Sequence, residues 1–366
     1  MNATVRPLAV LFKALALFVL VNVLYGLVQP RVADVSVYNR FIPGLERMPF
    51  GVSTDPYTLT VDNADAMFAA HAISAPKSAD EFRVAVVGDS SVWGEGLSVE
   101  ETLTGQWNSL GLVCGGRSMR FYNLGYPHPS ILKDLIFLQE TQIRQPDAIV
   151  WLITLNTLMN QSRLHPFIRE NRGRALQIMD AYQIPFAPRA ELEKSPPTFF
   201  DDTLLGQREF LARWLKLQTL GLVRSATGTD MVVAPEGYEP LPHDLKKNPN
   251  YRDLTPDSDL RPSLLLEALA AGYDLAGGVP VVLVNEPIFV ANGQNSEIRY
   301  NDLYPRWAYD QYRELVAAQA AARSYLDLWN IIPSEYFTDS PMHLNAQGEQ
   351  LLAEAITPTL LASTCK

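Results

Sequence analysis

The chain has 366 residues, 47% of them hydrophobic and 19% charged, enough for a sizeable core and for two average domains or one large α/β domain carrying an insertion. Its formal charge is −10, from 40 acidic against 30 basic side chains with no basic block, which argues against a nucleic-acid partner. Two cysteines, Cys114 and Cys365, are too few for a disulfide framework or a cysteine zinc cluster.

Residues 8–28 form one apolar run, LAVLFKALALFVLVNVLYGLV, interrupted only by Lys13 and Asn22. About 20 such residues cross a bilayer. Arg6, Lys13 and the amino terminus put positive charge ahead of the run, which predicts a cytoplasmic N-terminus, and the long stem of Lys13 lets its ammonium reach the headgroups. A cleaved signal peptide would have a shorter apolar core and a small-residue cleavage site, absent before Gln29-Pro30-Arg31. A buried core helix would carry a polar face. The expectation is a single-pass anchor over residues 1–30, with everything after it outside the cytoplasm.

Residues 31–80 read as a linker and lead-in, mixing Pro, Asp and short apolar pieces such as residues 57–61. A regular rhythm then begins. Residues 83–87 (RVAVV), followed by Gly88, predict a buried parallel strand. Ser98 with Glu101 has the form of a capping box and opens a helix to about residue 110. A second strand covers residues 120–124. A helix follows at 130–143, its apolar face made by Ile131, Leu132, Leu135, Ile136 and Leu138. Strands are predicted at 148–153 and 279–284, a helix at 309–323, a fifth strand from 325, and a last helix at 346–361 with Pro358 a candidate break.

Apolar strands alternating with helices predict a three-layer α/β/α domain around a mainly parallel sheet, spanning residues 81–366. Ligands in such sheets sit beyond the carboxyl ends of the strands. The stretch between the third and fourth strands is too long for one crossover, so residues 157–278 are read as an insertion. It holds Pro-rich segments at 185–197 and 235–262 and a helical stretch at 208–223. A bridge between Cys114 and Cys365 is allowed outside the cytoplasm. Two free thiols are the expectation, since nothing in the sequence brings them together.

Two loops carry candidate chemistry. In Gly88-Asp89-Ser90-Ser91, a serine directly after a buried strand exposes its hydroxyl where backbone N–H groups favour an oxyanion, and Gly88 permits the tight turn. Taken alone, the tripeptide is common by chance. In Asp339-Ser340-Pro341-Met342-His343-Leu344-Asn345, a histidine stands before the last helix with a carboxylate a few residues earlier, the elements of an acid–base pair. Alone, that too is common. His128 follows the second strand and reads as a pocket-lining or rigid loop residue. His71, His165 and His243 lack partners at ligand spacing, so no metal or cofactor is expected.

Together the two loops resemble the first and last sequence blocks of the SGNH (GDSL-like) hydrolase family. Tyr122-Asn123-Leu124-Gly125-Tyr126 fits the second block, and Thr154-Leu155-Asn156-Thr157 fits the third around its asparagine, with Thr154 and Thr157 replacing the usual Gly and Asp. Asn160 is the fallback asparagine. The resemblance covers about residues 82–156 and 279–361 and implies a flavodoxin-like SGNH fold. It implies Ser90 as nucleophile, His343 as base, and an oxyanion hole from the Ser90 and Gly125 N–H groups and the Asn156 amide. The family spaces Asp and His by two residues, whereas three separate Asp339 from His343. Either Asp339 still orients the ring, the preferred reading, or Ser90 and His343 act as a dyad.

The resemblance further implies a serine esterase or O-acyltransferase working through a Ser90 acyl-enzyme. With an anchor, it is similar to proteins that move or remove acyl groups on exported polysaccharides or cell-wall glycans, often beside a multi-pass membrane acyltransferase. The insertion is expected to form a lid or acceptor-binding part. One alternative is a lipid or small-ester esterase whose residues 208–223, with Phe210, Leu211, Trp214, Leu215 and Leu217, touch lipid. The other is an inactive anchored glycan-binding or scaffold subunit.

Overall fold

The computed structural model describes residues 6–51, 59–160, 163–194, 196–227 and 239–365. The first helix, α1 (Pro7–Val28), is long and apolar enough to cross a membrane and is almost entirely exposed. Then come α2 (Ala64–Ala70), β1 (Glu81–Gly88), α3 (Ser90–Trp93), α4 (Leu103–Ser109), β2 (Val113–Cys114), β3 (Arg117–Gly125), α5 (Ile131–Gln142) and β4 (Ala148–Ile153). The insertion contributes α6 (Leu155–Leu158), α7 (Pro166–Glu170), α8 (Arg172–Tyr182), α9 (Arg189–Lys194), α10 (Arg208–Thr227) and α11 (Glu267–Leu275). The chain closes with β5 (Val281–Asn285), α12 (Arg306–Gln319), β6 (Ser324–Asp327) and α13 (Ala346–Thr364).

The six strands lie in the order β2-β3-β1-β4-β5-β6, and every pairing is parallel except the short β2–β3 hairpin. Setting β2 aside, the order is that of a flavodoxin-like doubly wound sheet, whose direction of winding reverses between β1 and β4. Successive side chains point to opposite faces. Ala85, Val87, Leu124 and Trp151 pack with α2, α5, α8 and α11, while Val84, Val86, Val150 and Leu152 pack with α4 and α13. Both faces are therefore covered, which is why these strands read as continuous apolar runs.

Four expectations change. Within residues 31–51 and 59–80, Tyr38, Met48, Met67, Phe68 and Ile73 are buried in the larger core rather than exposed as a linker would leave them, because α2 and its flanks cap α5. Of the predicted apolar piece at 57–61, residues 57 and 58 lie outside the described residues, and Leu59 and Val61 are buried. Glu101 does accept a hydrogen bond from Ser98 N–H, but the helix begins at Leu103 with Thr102 as its cap, because Thr102 Oγ1 accepts from Gly105 N–H. Pro358 sits inside α13 without ending it. The cysteines are not free. Cys114 and Cys365 form a disulfide that ties the end of α13 to the β2 edge across 251 positions of sequence.

Candidate active site

Asp89 caps α3 by accepting from Ser91 N–H, so the chain turns sharply from β1 and leaves Ser90 at the first helical position. The Ser90 N–H has no acceptor among the described residues, as expected at a helix start. His343 Nε2 lies 2.8 Å from Ser90 Oγ, and His343 Nδ1 lies 3.0 Å from Asp339 Oδ1. A ring carrying its proton on Nδ1 donates to Asp339 and leaves Nε2 to accept from the serine hydroxyl. The extra residue between Asp339 and His343 is absorbed by a turn. Thr338 N–H donates to the His343 carbonyl and His343 N–H to that of Ser340, while Phe337 and Leu344 pair across its base.

Burial disfavours the His343 cation, but the hydrogen bond and charge of Asp339, with Glu95 and Asp89 nearby, outweigh it and hold the ring above its usual 6.5. The bond from His343 holds Asp339 below the ordinary carboxylate range despite its partial burial. Behind Ser90 lies a layer the sequence did not flag. The Ser91 hydroxyl donates to Glu286, at the end of β5, and burial together with the Asp89 charge raises Glu286 well above an ordinary glutamate. Glu349 of α13 is equally buried and is raised for the same first reason. A lone acid directly after an apolar strand was the available signal.

The expected oxyanion donors fare differently. Gly125 N–H is already engaged by Asn123 Oδ1 at 3.0 Å, so it is not free to face Ser90. The residue matters for another reason: a Cβ there would come within 2.2 Å of Trp93 N and 2.6 Å of the Val92 carbonyl carbon, so only glycine lets β3 meet α3. Asn123, which sequence reasoning passed over, clamps the same junction by donating to Val92 O. A buried asparagine in an apolar strand was its only sign. Arg47, also missed, donates to the carbonyls of Gly94 and Leu97 and stacks on Trp93, securing the far end of α3 from within the supposed linker.

Asn156 sits on α6, just beyond β4. Its Oδ1 accepts from Tyr251 O–H at 2.8 Å and from Arg252 Nη2 at 3.3 Å, which leaves its NH₂ group as the free end of the amide. Asn160 is occupied elsewhere, with its amide bonded to Pro185 O and Ala187 N–H. His128 stacks on His165 with ring centroids 3.6 Å apart, and burial pushes its pKa down to about 2, so it is a neutral packing residue. Among the described residues no group of His, Cys, Asp and Glu could hold a metal ion. Asn156 opens a cleft of about 670 Å³ lined by Lys246, Asn248, Asn250, Tyr251 and Arg252 of the insertion.

No family model and no curated protein matches the chain by sequence. Several solved structures match it. A G-D-S-L lipolytic family member from Veillonella parvula DSM 2008 is 11% identical with a TM-score of 0.36, over 75% of this chain and 96% of that one. A lipase/acylhydrolase from Enterococcus faecalis is 12% identical with a TM-score of 0.37, over 76% and 96%. A carbohydrate acetylesterase family member from Sinorhizobium meliloti is likewise similar, 12% identical with a TM-score of 0.34 over 77% of this chain and 98% of that one.

Proposed function

We propose that the protein is a serine-dependent O-acyl esterase or O-acyltransferase, acting outside the cytoplasm on an acylated glycan through a Ser90 acyl-enzyme. The observation that carries this reading is the continuous hydrogen-bonded line Ser90–His343–Asp339, with distances of 2.8 and 3.0 Å. His343 Nε2 takes the Ser90 proton as Oγ attacks the ester carbonyl. The Ser90 N–H and the Asn156 amide stabilise the oxyanion, and each such donor is worth about 2.7–4 kcal/mol in the transition state. The imidazolium then protonates the departing alkoxide. In the second half, water or a sugar hydroxyl gives its proton to His343 and takes the acyl group, and the imidazolium returns that proton to the departing Ser90 Oγ.

A glycan is favoured over a fatty-acyl ester by the lining of the cleft. Amides from Asn248 and Asn250, the Tyr251 ring and the cations of Lys246 and Arg252 suit a hydroxyl-rich, anionic chain better than an alkyl tail. An extracytoplasmic site is supported by the Cys114–Cys365 bridge, which persists in oxidising compartments, and by α1 as a single anchor with its basic end inside. Transfer rather than hydrolysis calls for an acyl donor at the membrane, the role of a multi-pass acyltransferase partner.

The test is labelling by a fluorophosphonate probe, with the adduct located by peptide mass. One adduct on Ser90, abolished in Ser90→Ala and weakened in His343→Ala, is expected. A folded protein that takes no label would favour an inactive scaffold. Adding acylated and unacylated oligosaccharides to fresh, unlabelled enzyme then separates hydrolysis from transfer.

A further inference from the structure

The last turns of α1 are bonded to the insertion rather than standing free. Asn22 Oδ1 accepts from Leu205 N–H at 2.9 Å, and Tyr25 O–H bonds Gln207 Oε1 at 3.1 Å. The Phe199 ring lies so close to Gly26 that a Cβ there would come within 2.9 Å of it. Asn22 is one of two interruptions in the apolar run, and its polar side chain is satisfied by its own helix, Nδ2 to Phe18 O, and by this loop.

Depth along the helix makes these contacts informative. At 1.5 Å per residue, Asn22 lies about 9 Å below Val28. Residues 7–21 alone would cover only about 22 Å, short of the roughly 30 Å hydrocarbon core. Starting at Pro7, a crossing of roughly 30 Å ends at about Gly26, so Asn22 lies within the bilayer and the loop bonded to it reaches the bilayer too.

We propose that residues 199–207 form a membrane-inserted seat, in which Phe199, Phe200 and Leu205 enter the outer leaflet against α1 and hold the catalytic domain at a fixed orientation on the lipid surface. This rests on the anchor reading given above.

Two independent features of the loop fit lipid. Three of its four exposed side chains are apolar, Asp201 being the fourth: Phe199 is 49%, Phe200 52% and Leu205 42% exposed, a costly display in water for three large residues within seven positions. Six of its nine backbone N–H groups also have acceptors within the protein, which lowers the cost of irregular chain near hydrocarbon. The N–H groups of Asp201, Asp202, Thr203 and Gln207 bond carbonyls of the segment itself, Gly206 N–H bonds Thr203 Oγ1, and Leu205 N–H bonds Asn22. Asp201 turns back to accept from Thr198 N–H and Oγ1, and with Asp202 it limits the seat to the headgroup–acyl boundary. Beyond the seat, α10 runs alongside the chain leaving the membrane, with Trp214 Nε1 donating to Val35 O and Val37 N–H donating to Gln218 Oε1. That ladder transmits the seat's position to the domain.

The test uses the full chain reconstituted in phosphatidylcholine–phosphatidylglycerol bilayers, with a nitroxide on single introduced cysteines, both native ones being bridged. Collision rates with oxygen and with a nickel chelate report depth at Phe200→Cys and Leu205→Cys. Leu15→Cys and Val28→Cys mark the span, and Leu110→Cys marks exposed surface. Expected is an oxygen-to-nickel ratio at Phe200 and Leu205 close to that at Val28 and well above that at Leu110. A deep Leu15 with Phe200 and Leu205 matching Leu110 overturns the seat and leaves the anchor standing. A water-exposed Leu15 overturns the anchor reading and the seat with it. Asn22→Leu, which keeps the span apolar but removes the acceptor for Leu205 N–H, should shift the Leu205 label toward the aqueous ratio; no shift would count against the seat.

Discussion

The carboxylate of Asp339 and the ring of His343 share one tight turn, with Oδ1 3.0 Å from Nδ1, although the family spacing would put Ser340 in that place. The consequence is electrostatic. A neutral imidazole is needed to accept the Ser90 proton, so kcat/KM on an aryl acetate should rise with pH through an apparent pKa above 6.5. Asp339→Asn removes the largest raising influence and leaves burial, which lowers, opposed only by the Glu95 and Asp89 charges, so the acid limb should move down. The Asp339 side chain is 49% exposed, so kcat should fall by about 10²-fold, less than the roughly 10⁴-fold given by a buried triad carboxylate. A limb that stays in place would refute Asp339 as the orienting group. For stability the sign is opposite. The folded state binds the His343 proton more tightly than the unfolded chain, so the pair stabilises fully below about pH 6.5 and fades as pH rises through the folded pKa.

Tyr251 should act through Asn156. Burial holds its phenol up at about 12, so it remains a donor to Asn156 Oδ1 across any assay range. Tyr251→Phe should lower kcat by about tenfold with KM little changed, because Arg252 still holds the amide more weakly, whereas Asn156→Ala should cost about 10²–10³-fold. Equal losses in kcat and in ground-state affinity would instead make Tyr251 a substrate contact.

Gly125→Ala should damage the site without touching substrate. The added methyl meets the α3 backbone at 2.2 Å, and backbone cannot swing aside as a side chain does. Overpacking of this kind costs about 1–3 kcal/mol, and displacement of Ser90 should cut fluorophosphonate labelling at least tenfold. Thermal melting followed beside labelling separates the two effects. Unchanged labelling would mean that the close approach is dispensable.

The Cys114–Cys365 bridge closes a loop of 251 positions. Loop-entropy reasoning gives about 5.5 kcal/mol for its removal as an upper figure, against about 2–4 kcal/mol for a typical native bridge. The Cys114→Ser, Cys365→Ser double variant should melt roughly 10 °C lower, and reductant should have no further effect on it. Because α13 follows His343 directly, the same variant should also lose activity at temperatures below its melting point.

Much of the architecture was legible in the chain because its signals are local. The run from Leu8 to Val28, the apolar strand of residues 148–153 and the face of Ile131, Leu132 and Leu135 each announce themselves within a turn or a pleat, and β4 and α5 lie where those patterns predict. Ser90 and His343 could be picked out only as two separate loops, each common alone. What folding decided is pairwise. Closing the doubly wound sheet brings together residues 253 positions apart at Ser90 and His343, and 251 apart at the cysteines. It hands the Gly125 N–H to Asn123, draws Tyr38, Met48, Met67, Phe68 and Ile73 into the core and bonds Asn22 to Leu205. Periodicity encodes which face of an element is buried, but which distant group completes a hydrogen bond depends on where the elements land when the core closes, and no short stretch of sequence carries that information.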